Sequence, residues 1–412
     1  MTFLEERLKN NSYFQLLKNN RDFRKFWTAQ QISMAGDWIT SIPLLGLVLT
    51  LTGSGLDTSL VMVFTLIPYV LFAPFSGVLA DRANRKTIMV LGDFIRTPLV
   101  LGFLLIHQAS QIWIVYVLII VGELIGVLYY PAASSAFPNL VEPHELYTAN
   151  ALSGASWGVM LAVGSALGGI MAALWGNKIC FIVDSASFFI SALITMTIKR
   201  SFSRERKENR EQGGFRDLKE GFQYSISHPQ IWQIILFNGG MGFATGMVIL
   251  YTIFPVKIFH DGDFGIGILY AIRGVGNIIG APMARYLVPE DFVSLRKGFI
   301  VSGIMVGVFY LIFSQSPGLI FACCSVLLDH IGNGAFWTLC NFSIQKSAPD
   351  QYLGRVLSFQ VTVFTLAMSS ASLLCGALVG IISPRWVAAG FGVIILLFVF
   401  FWYAFTKKSF AS

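Results

Sequence analysis

The sequence predicts an all-α membrane protein, with twelve transmembrane helices in two six-helix bundles and both termini in the cytoplasm. Of its 412 residues, 55% are hydrophobic and only 12% are charged, whereas soluble domains carry about 25% charged residues. Apolar runs of about 20 residues, the length that crosses a hydrocarbon layer, recur from Phe26 almost to the C-terminus. These runs are continuously apolar rather than alternating, which favours helices over barrel strands and excludes a soluble globule.

A single long hydrophilic segment divides the chain. We expect membrane-spanning helices at 27–51, 57–80, 87–106, 111–136, 147–174, 179–198, 231–256, 264–285, 298–314, 317–343, 355–380 and 385–406. Between the sixth and the seventh lies the run SFSRERKENREQGG, a composition typical of flexible linkers. The predicted domains are therefore an N-terminal bundle (1–198), a cytoplasmic linker (199–230) and a C-terminal bundle (231–412). Phe215, Leu218 and Phe222 share one face of a helix, which predicts a surface-lying amphipathic helix in the linker.

The basic residues predict the orientation. All of the 29 Lys and Arg residues lie on the side of the two termini, except for five: Lys178, Lys257, Arg385, Arg96 and Arg273. By the positive-inside rule this side is cytoplasmic. The net charge of +7 requires no nucleic-acid partner, because the basic residues stand where anionic lipid head groups would be.

A charged turn joins the second and third predicted helices and contains Gly77, Asp81, Arg82, Arg85 and Lys86. An aspartate at the inner end of a span can accept hydrogen bonds from a neighbouring helix N-terminus. Such a contact would form when the cytoplasmic side closes and break when it opens. The alternative is a charged turn that only orients the two helices.

This turn matches the signature G-x-x-x-D-R-x-x-R-K of the major facilitator superfamily, which the chain resembles over nearly its whole length. The resemblance is closest to the bacterial drug-exporter branch that includes macrolide-efflux and enterobactin-export proteins. The segments that carry it are 24–33, 36–38, 67–74, 150–153 and 352–358. It implies the major facilitator fold, a place in the bacterial cytoplasmic (inner) membrane, and a gating role for the turn between inward-open and outward-open states.

Two positions depart from the exporter pattern. Gly164-Ser-Ala-Leu-Gly168-Gly169 resembles the antiporter motif of the fifth helix, but Ser165 stands where exporters usually have proline. The same small residues would equally serve close helix packing. Glu123 stands near the place where many proton-coupled exporters carry an arginine in the fourth helix.

Ionisable residues within the predicted spans are the candidate substrate and proton sites, because a charge at the bilayer centre costs several kcal/mol unless it faces water or a partner. The spacing of Asp93 and Arg96 favours a pair across one helical turn, and Asp184 is expected either to pack or to function. Arg273 would neutralise an acid or receive an anionic group. His330 could titrate near neutral pH, although adjacent helical residues such as Asp329 and His330 point in different directions. The complete set is Asp37, Asp93, Arg96, Glu123, Asp184, Arg273, Asp329 and His330.

The leading hypothesis is a secondary active transporter that exports amphipathic small molecules by alternating access. Protons would pass through Asp37, Glu123 or Asp329. These residues lie on helices that line the central cavity in the major facilitator superfamily, which the chain resembles. The alternative is a lysophospholipid or lipid transporter that uses Arg273 for the head group, and a channel is disfavoured by the two-half architecture. We expect a monomer among membrane lipids with no cofactor and no metal, driven by the proton gradient. The sequence has no HExxH or phosphate-loop motif and no soluble catalytic domain, which argues against an enzyme.

Overall fold

The computed structural model describes residues 12–82, 84–142, 145–202 and 215–406. Within these residues twelve helices are long and apolar enough to cross a membrane, as the sequence predicts. We number them α1 (Arg21–Thr52), α2 (Gly55–Arg82), α3 (Arg85–Leu101), α4 (Ile112–Leu140), α5 (Leu146–Trp175), α6 (Asn177–Met196), α7 (Pro229–Phe259), α8 (Gly262–Leu287), α9 (Phe292–Ser314), α10 (Leu319–Ser347), α11 (Asp350–Val379) and α12 (Pro384–Thr406). A short helix, Ser12–Asn19, precedes α1, and a 3₁₀ turn, Gly102–Leu105, extends α3.

Side-chain caps determine where several helices begin. Asn20 accepts a hydrogen bond from the backbone N–H of Phe23 at 3.0 Å and caps α1. Asn84 accepts one from Thr87 at 3.2 Å and caps α3. Such caps satisfy backbone donors that have no partner within the helix. The predicted starts of α1 and α9, residues 27 and 298, are too late, because both helices continue beyond their apolar segments to Arg21 and Phe292.

The seventh span is not a uniform α-helix. It runs as α-helix from Pro229 to Thr245, as 3₁₀-helix over Gly246–Ile249, as α-helix again over Leu250–Phe254 and as π-helix over Pro255–Phe259. Gly246 allows α11 to approach, since a Cβ atom there would lie 2.7 Å from the carbonyl oxygen of Met368. Pro255 lacks an N–H and cannot continue regular α-helical hydrogen bonding. Hydropathy places this span correctly but does not detect its interruption.

An even number of spans on each side of the linker puts the described termini and the linker at one end of the bundle, which we call the linker end. The opposite end, the distal end, holds the closest contacts between helices that precede and follow the linker. Lys257 Nζ donates to the carbonyl oxygen of Gly53 at 2.7 Å. A Cβ atom at Gly55 would lie 3.0 Å from the carbonyl oxygen of Gly376. A Cβ atom at Gly169 would lie 2.7 Å from Gly267 Cα, so α5 and α8, like α2 and α11, pack together through glycines near this end.

The linker contains a helix, Phe215–Ser227, where the sequence predicts one. It packs on the first turns of α11 at the linker end. Glu220 pairs with Arg355 at 2.8 Å, and the ring of Tyr224 stacks on that of Tyr352 at 4.3 Å between centroids. The helix therefore contacts the C-terminal part of the bundle through an ion pair and a stacked aromatic pair.

Candidate functional site

Arg96 on α3 is the centre of a charged cluster among the first four spans. The residue is 6% exposed, and its Nη2 donates to the carbonyl oxygen of Gly122 on α4 at 3.3 Å. The guanidinium lies 5.4 Å from the ring centroids of both Tyr129 and Phe188, within the range of cation–π attraction. Its charge also interacts with the carboxylates of Asp37 and Glu123.

Glu123, on α4, meets Tyr69 of α2 at the same place. The Tyr69 hydroxyl donates to Glu123 Oε2 at 3.0 Å. A Cβ atom at Gly126 would lie 2.5 Å from both Tyr69 Oη and Arg96 Nη2, so only glycine leaves room for this arrangement. Glu123, Tyr69 and Asp37 are all partly exposed rather than sealed in the core. A solute or proton can therefore reach this cluster.

The predicted pair between Asp93 and Arg96 does not form. Asp93 is fully buried and points towards α6, where Ser191 Oγ donates to its Oδ2 at 2.7 Å. The Tyr129 hydroxyl lies 3.5 Å from the same oxygen, while Arg96 turns to α4. The two side chains diverge because α3 contacts a different helix on each side.

Asp184 of α6 is 1% exposed and faces α1. Ser187 Oγ donates to its Oδ1 at 3.3 Å, and both groups contact the space beside Gly36. Asp184 also interacts with the charge of Asp37, one residue further along α1. Asp184 therefore packs between α1 and α6, and a functional role for it stays a prediction.

Asp329 and His330 form a separate cluster among the later spans. Tyr251 Oη donates to Asp329 Oδ2 at 2.8 Å, and His330 Nδ1 lies 2.9 Å from the same oxygen. The expectation that these neighbours point apart is wrong, because the imidazole folds back along the helix to within 3.1 Å of the carbonyl oxygen of Val326. Both neighbours of Nδ1 are acceptors, so this nitrogen carries the proton. Asp329 and His330 are at most 2% exposed and lie within protein rather than on an open surface.

Arg273 of α8 lies with its guanidinium 5.8 Å from the ring centroid of Tyr270. Its Nε is buried and has no hydrogen-bond partner among the described residues. No ion pair of Arg273 with a described carboxylate occurs within 4.0 Å. The first of the two expected roles, neutralising an acid, is therefore not seen in the described part of the chain.

The charged turn is described only in part, because the surroundings of Gly77 and the side chains of Asp81 and Arg82 lie outside what the structure describes. Lys86 Nζ donates to the carbonyl oxygens of Met196 and Ile198 at 2.9 and 2.8 Å. Arg85 Nη1 donates to that of Phe202 at 3.3 Å. The basic half of the motif thus ties the start of α3 to the end of α6. The gating role of the motif stays a prediction.

The glycine-rich motif of α5 packs against two helices. A Cβ atom at Gly168 would lie 2.6 Å from the carbonyl oxygen of Ile39 on α1, and one at Gly169 would lie 2.7 Å from Gly267 Cα on α8. Close helix packing accounts for these residues. The nearby letters GxSxG at 154–158 are a hydrolase pattern, but Ser156 lies within a continuous helix instead of a strand–turn–helix elbow. Its Oγ donates to Leu152 at 2.7 Å and accepts from Trp27 at 3.1 Å.

The structure adds two polar residues that the sequence does not predict as parts of these contacts. Tyr69 lies in an apolar stretch, and no local pattern marks it as the partner of Glu123. Asp263 immediately precedes the predicted eighth span at 264, and its carboxylate contacts Gly46 of α1 across the distal end. In the described residues no three His, Cys, Asp or Glu side chains are grouped so that they could hold a metal ion.

Comparison with known proteins agrees with this architecture. Two relatives come from Bacillus subtilis: the uncharacterized transporter YfiS of strain 168, of major facilitator type, is 26% identical over 85% of each chain, and a proposed bacilysin exporter is 26% identical over 87% of this chain and 88% of its own. Macrolide efflux protein A of Streptococcus pyogenes is 20% identical over 84% of this chain and 86% of its own.

Solved structures show the same fold. The nucleoside transporter NupG matches with a TM-score of 0.74 at 14% identity, covering 94% of this chain and 99% of its own. A bacterial homolog of the human lysosomal transporter Spinster matches with a TM-score of 0.71 at 13% identity, covering 95% and 97%. The family model described as "Transmembrane secretion effector" matches residues 13–411. The chain therefore belongs to the transmembrane secretion effector family of the major facilitator superfamily, and it is a multi-pass membrane transporter rather than an enzyme.

Proposed function

We propose that this transporter exports amphipathic small molecules across the bacterial cytoplasmic membrane in exchange for protons, and that Asp37 and Glu123 carry the protons. The observation that supports this most is the cluster around Arg96, a buried cation whose guanidinium meets the Glu123 carboxyl beside Gly126 and lies within electrostatic range of Asp37. The efflux-type relatives support the direction of transport.

The charge balance of the cluster favours proton exchange. Asp37, Asp93 and Glu123 all interact with the charge of Arg96, which can compensate only one negative charge. In a region of low dielectric constant a further uncompensated charge is costly, and protonation removes that cost. Asp93 is fully buried and bonded to Ser191, whereas Asp37 and Glu123 are partly exposed. The exchangeable protons are therefore assigned to the latter two.

The surroundings of Glu123 suit an amphipathic substrate. Tyr69 and Tyr130 lie 6.1 Å apart between ring centroids, and Tyr130 is 45% exposed. Aromatic faces beside carboxylates bind solutes that combine apolar surface with a positive charge or a hydrogen-bond donor. Such a solute would compete with a proton for Glu123, which is the coupling that an antiporter needs.

Alternating access requires contacts that form at one end of the bundle while the other end opens. The contacts of Lys257 with Gly53 and of Gly55 with Gly376 hold the distal end together. We assign them to the closed external gate, with the linker end facing the cytoplasm.

Lipid transport is the second candidate, favoured by a cavity at the linker end between α8, α9 and α10. The cavity has a volume of about 340 Å³ and is lined mainly by apolar side chains, and Lys297 is its basic lining residue. A basic residue beside an apolar cavity at the membrane interface suits a lipid head group and its acyl chain.

The decisive experiment is transport in proteoliposomes loaded at acidic pH. Uptake of a cationic dye, a macrolide and a lysophospholipid is measured with and without the pH gradient, for wild type, Asp37→Asn and Glu123→Gln. We expect gradient-driven uptake of the dye or the macrolide, reduced about tenfold or more in both variants. Glu290→Gln, at an exposed acid of the linker end, is the matched control. Equal gradient-driven uptake by all four proteins would refute the proposal, and lysophospholipid uptake without a gradient would favour the second candidate.

A further inference from the structure

One side of α8 presents polar groups to the interior of the bundle. Tyr270, Arg273 and Asn277 follow one another at spacings of three and four residues, which places them on one face of the helix. A neighbouring face packs on α5, where Gly267 and Gly274 make the contact: a Cβ atom at Gly274 would lie 2.9 Å from the Cα of Ala162. The polar face is therefore adjacent to the junction with the N-terminal spans.

The contacts on the other faces of α8 show that these polar groups do not face the lipid. Gly276 and Gly280 pack on α10, since a Cβ atom at Gly276 would lie 2.7 Å from the carbonyl oxygen of Leu327. Val275 and Ile279, four residues apart, are both 38% exposed and mark the side away from protein. Because the polar face lies between the α5 side and the α10 side, it faces the space enclosed by the helices.

Several atoms on this face have no hydrogen-bond partner among the described residues. They include Arg273 Nε and Asn277 Oδ1, both buried at the atom although their residues are partly exposed. The hydroxyls of Tyr270 and of Thr252 on α7 face each other, yet neither makes a hydrogen bond of good geometry. Buried polar atoms are nearly always paired in folded proteins, so such a group of unpaired atoms on one face indicates a place where bound water or a ligand supplies the partner.

The charge identifies the kind of partner. The buried acidic cluster of the later spans is already engaged, because Asp329 accepts from Tyr251 and contacts His330. Among the described residues, therefore, no carboxylate pairs with Arg273 within 4.0 Å. An arginine presents a planar fork of N–H donors that matches a carboxylate or a phosphate. The Tyr270 ring beneath the guanidinium holds the fork in place.

We infer that Arg273, together with Tyr270 and Asn277, binds an acidic group, a carboxylate or a phosphate, of the transported molecule. The Asn277 amide contributes an N–H or a carbonyl oxygen, since the two ends of an amide have the same shape. The inference rests on the proposed transport function and adds a second contact to it: a substrate that carries a negative oxygen group as well as apolar surface binds more tightly than one without that group.

The test is binding by the purified full-length protein, without any gradient. Two matched probe pairs distinguish the sources of the oxygen group: dansyl-labelled octanoic acid against its uncharged amide, and a short-chain lysophosphatidic acid against the corresponding monoacylglycerol. We expect wild type to bind at least one acid about tenfold more tightly than its neutral partner, the factor expected when a bidentate arginine contact is gained. The pair that shows the difference identifies carboxylate or phosphate.

Substitutions on α8 test whether these residues cause the preference for the acid. Arg273→Gln should remove the preference for the acid and leave the neutral probe within about twofold, while Arg273→Lys, which keeps the charge but loses the fork, should retain part of it. Asn277→Ala should weaken binding of the acid only. Arg285→Gln, at an exposed arginine on the same helix, is the control and should change nothing. Binding of the neutral probe reports that each variant is folded.

Equal binding of acid and neutral probe by wild type would overturn the inference, as would an Arg273→Gln protein that still prefers the acid. Proton-driven uptake of a cationic dye separates this failure from failure of the proposed function. If wild type transports the dye but does not prefer either acid, only the site on α8 is refuted.

Discussion

Gly169 of α5 and Gly267 of α8 pack backbone to backbone near the distal end. A Cβ atom at Gly267 would lie 2.7 Å from Gly169 Cα and 2.8 Å from the carbonyl oxygen of Ser165. Neither atom belongs to a flexible side chain that could move aside. The two helices can approach this closely only while both positions are glycine.

Gly267→Ala should therefore favour opening of the distal end. Forcing a methyl group into tight packing costs about 1–3 kcal/mol, and separating the helices relieves this cost. Spin labels at Ser54 and Ile381, in a protein with Cys323 and Cys324 changed to serine, should report a longer distance, and transport should slow. Gly390→Ala is the control, because a Cβ atom there meets nothing within 4 Å. An unchanged distance distribution would show that the glycine contact does not hold this end closed.

Arg96→Gln should destabilise the protein by about 3 kcal/mol, because it removes a buried cation and leaves the neighbouring carboxylates uncompensated. The loss should be partly reversed by adding Asp37→Asn, which removes one of those charges. Thermal unfolding in detergent, measured for both single variants and the double variant, gives the coupling between the two residues. Arg285→Gln, an exposed substitution, should change stability by less than about 0.5 kcal/mol. Additive effects of Arg96→Gln and Asp37→Asn would contradict the shared cluster.

Ser191→Ala tests the assignment of Asp93 to a structural role. The substitution removes the 2.7 Å hydrogen bond to Asp93 Oδ2 in a fully buried place, at a cost of about 1–2 kcal/mol. We expect a lower unfolding temperature with proton coupling intact. The exposed Ser370→Ala is the control, since its hydroxyl bonds only to its own helix. If Ser191→Ala abolishes the dependence of uptake on the pH gradient at wild-type stability, Asp93 belongs to the proton path.

The membrane-spanning helices could be predicted from the sequence, because a long apolar segment is stable in the hydrocarbon layer and not in water. The sequence was not sufficient for side-chain partners. The spacing of Asp93 and Arg96 favours a pair, but each group found a better partner on a different neighbouring helix. Glu123 was detectable as a charge in an apolar run, whereas its partner Tyr69 lies 54 residues away and carries no local signal.

Local departures from regular α-helix geometry could not be predicted from the sequence either. The change from α-helix to 3₁₀-helix at Gly246 depends on the approach of α11, which is a tertiary contact. The meeting of Asp329 with His330 depends on a rotamer that the buried site selects. In both cases packing overrides the geometry of an ideal helix.

Gly221→Ala should detach the linker helix from α11. A Cβ atom at Gly221 would lie 2.5 Å from the carbonyl oxygen of Arg355 and 2.8 Å from its carbonyl carbon, both backbone atoms. The pair of Glu220 with Arg355 is partly exposed and contributes less than about 1 kcal/mol, too little to hold the helix against this clash. Amide hydrogen exchange over residues 215–227 should therefore accelerate about tenfold or more, which corresponds to a loss of about 1.4 kcal/mol.

Gly354→Ala provides the matched control for the linker helix. This glycine immediately precedes Arg355, and a Cβ atom there meets nothing within 4 Å. Because alanine also favours helix over glycine, the substitution should leave exchange at 215–227 unchanged and stabilise α11 slightly. Equal exchange in the Gly221→Ala and Gly354→Ala proteins would mean that the linker helix leaves α11 readily in the wild type. A selective effect of Gly221→Ala on both exchange and transport rate would instead show that its docking takes part in the transport cycle.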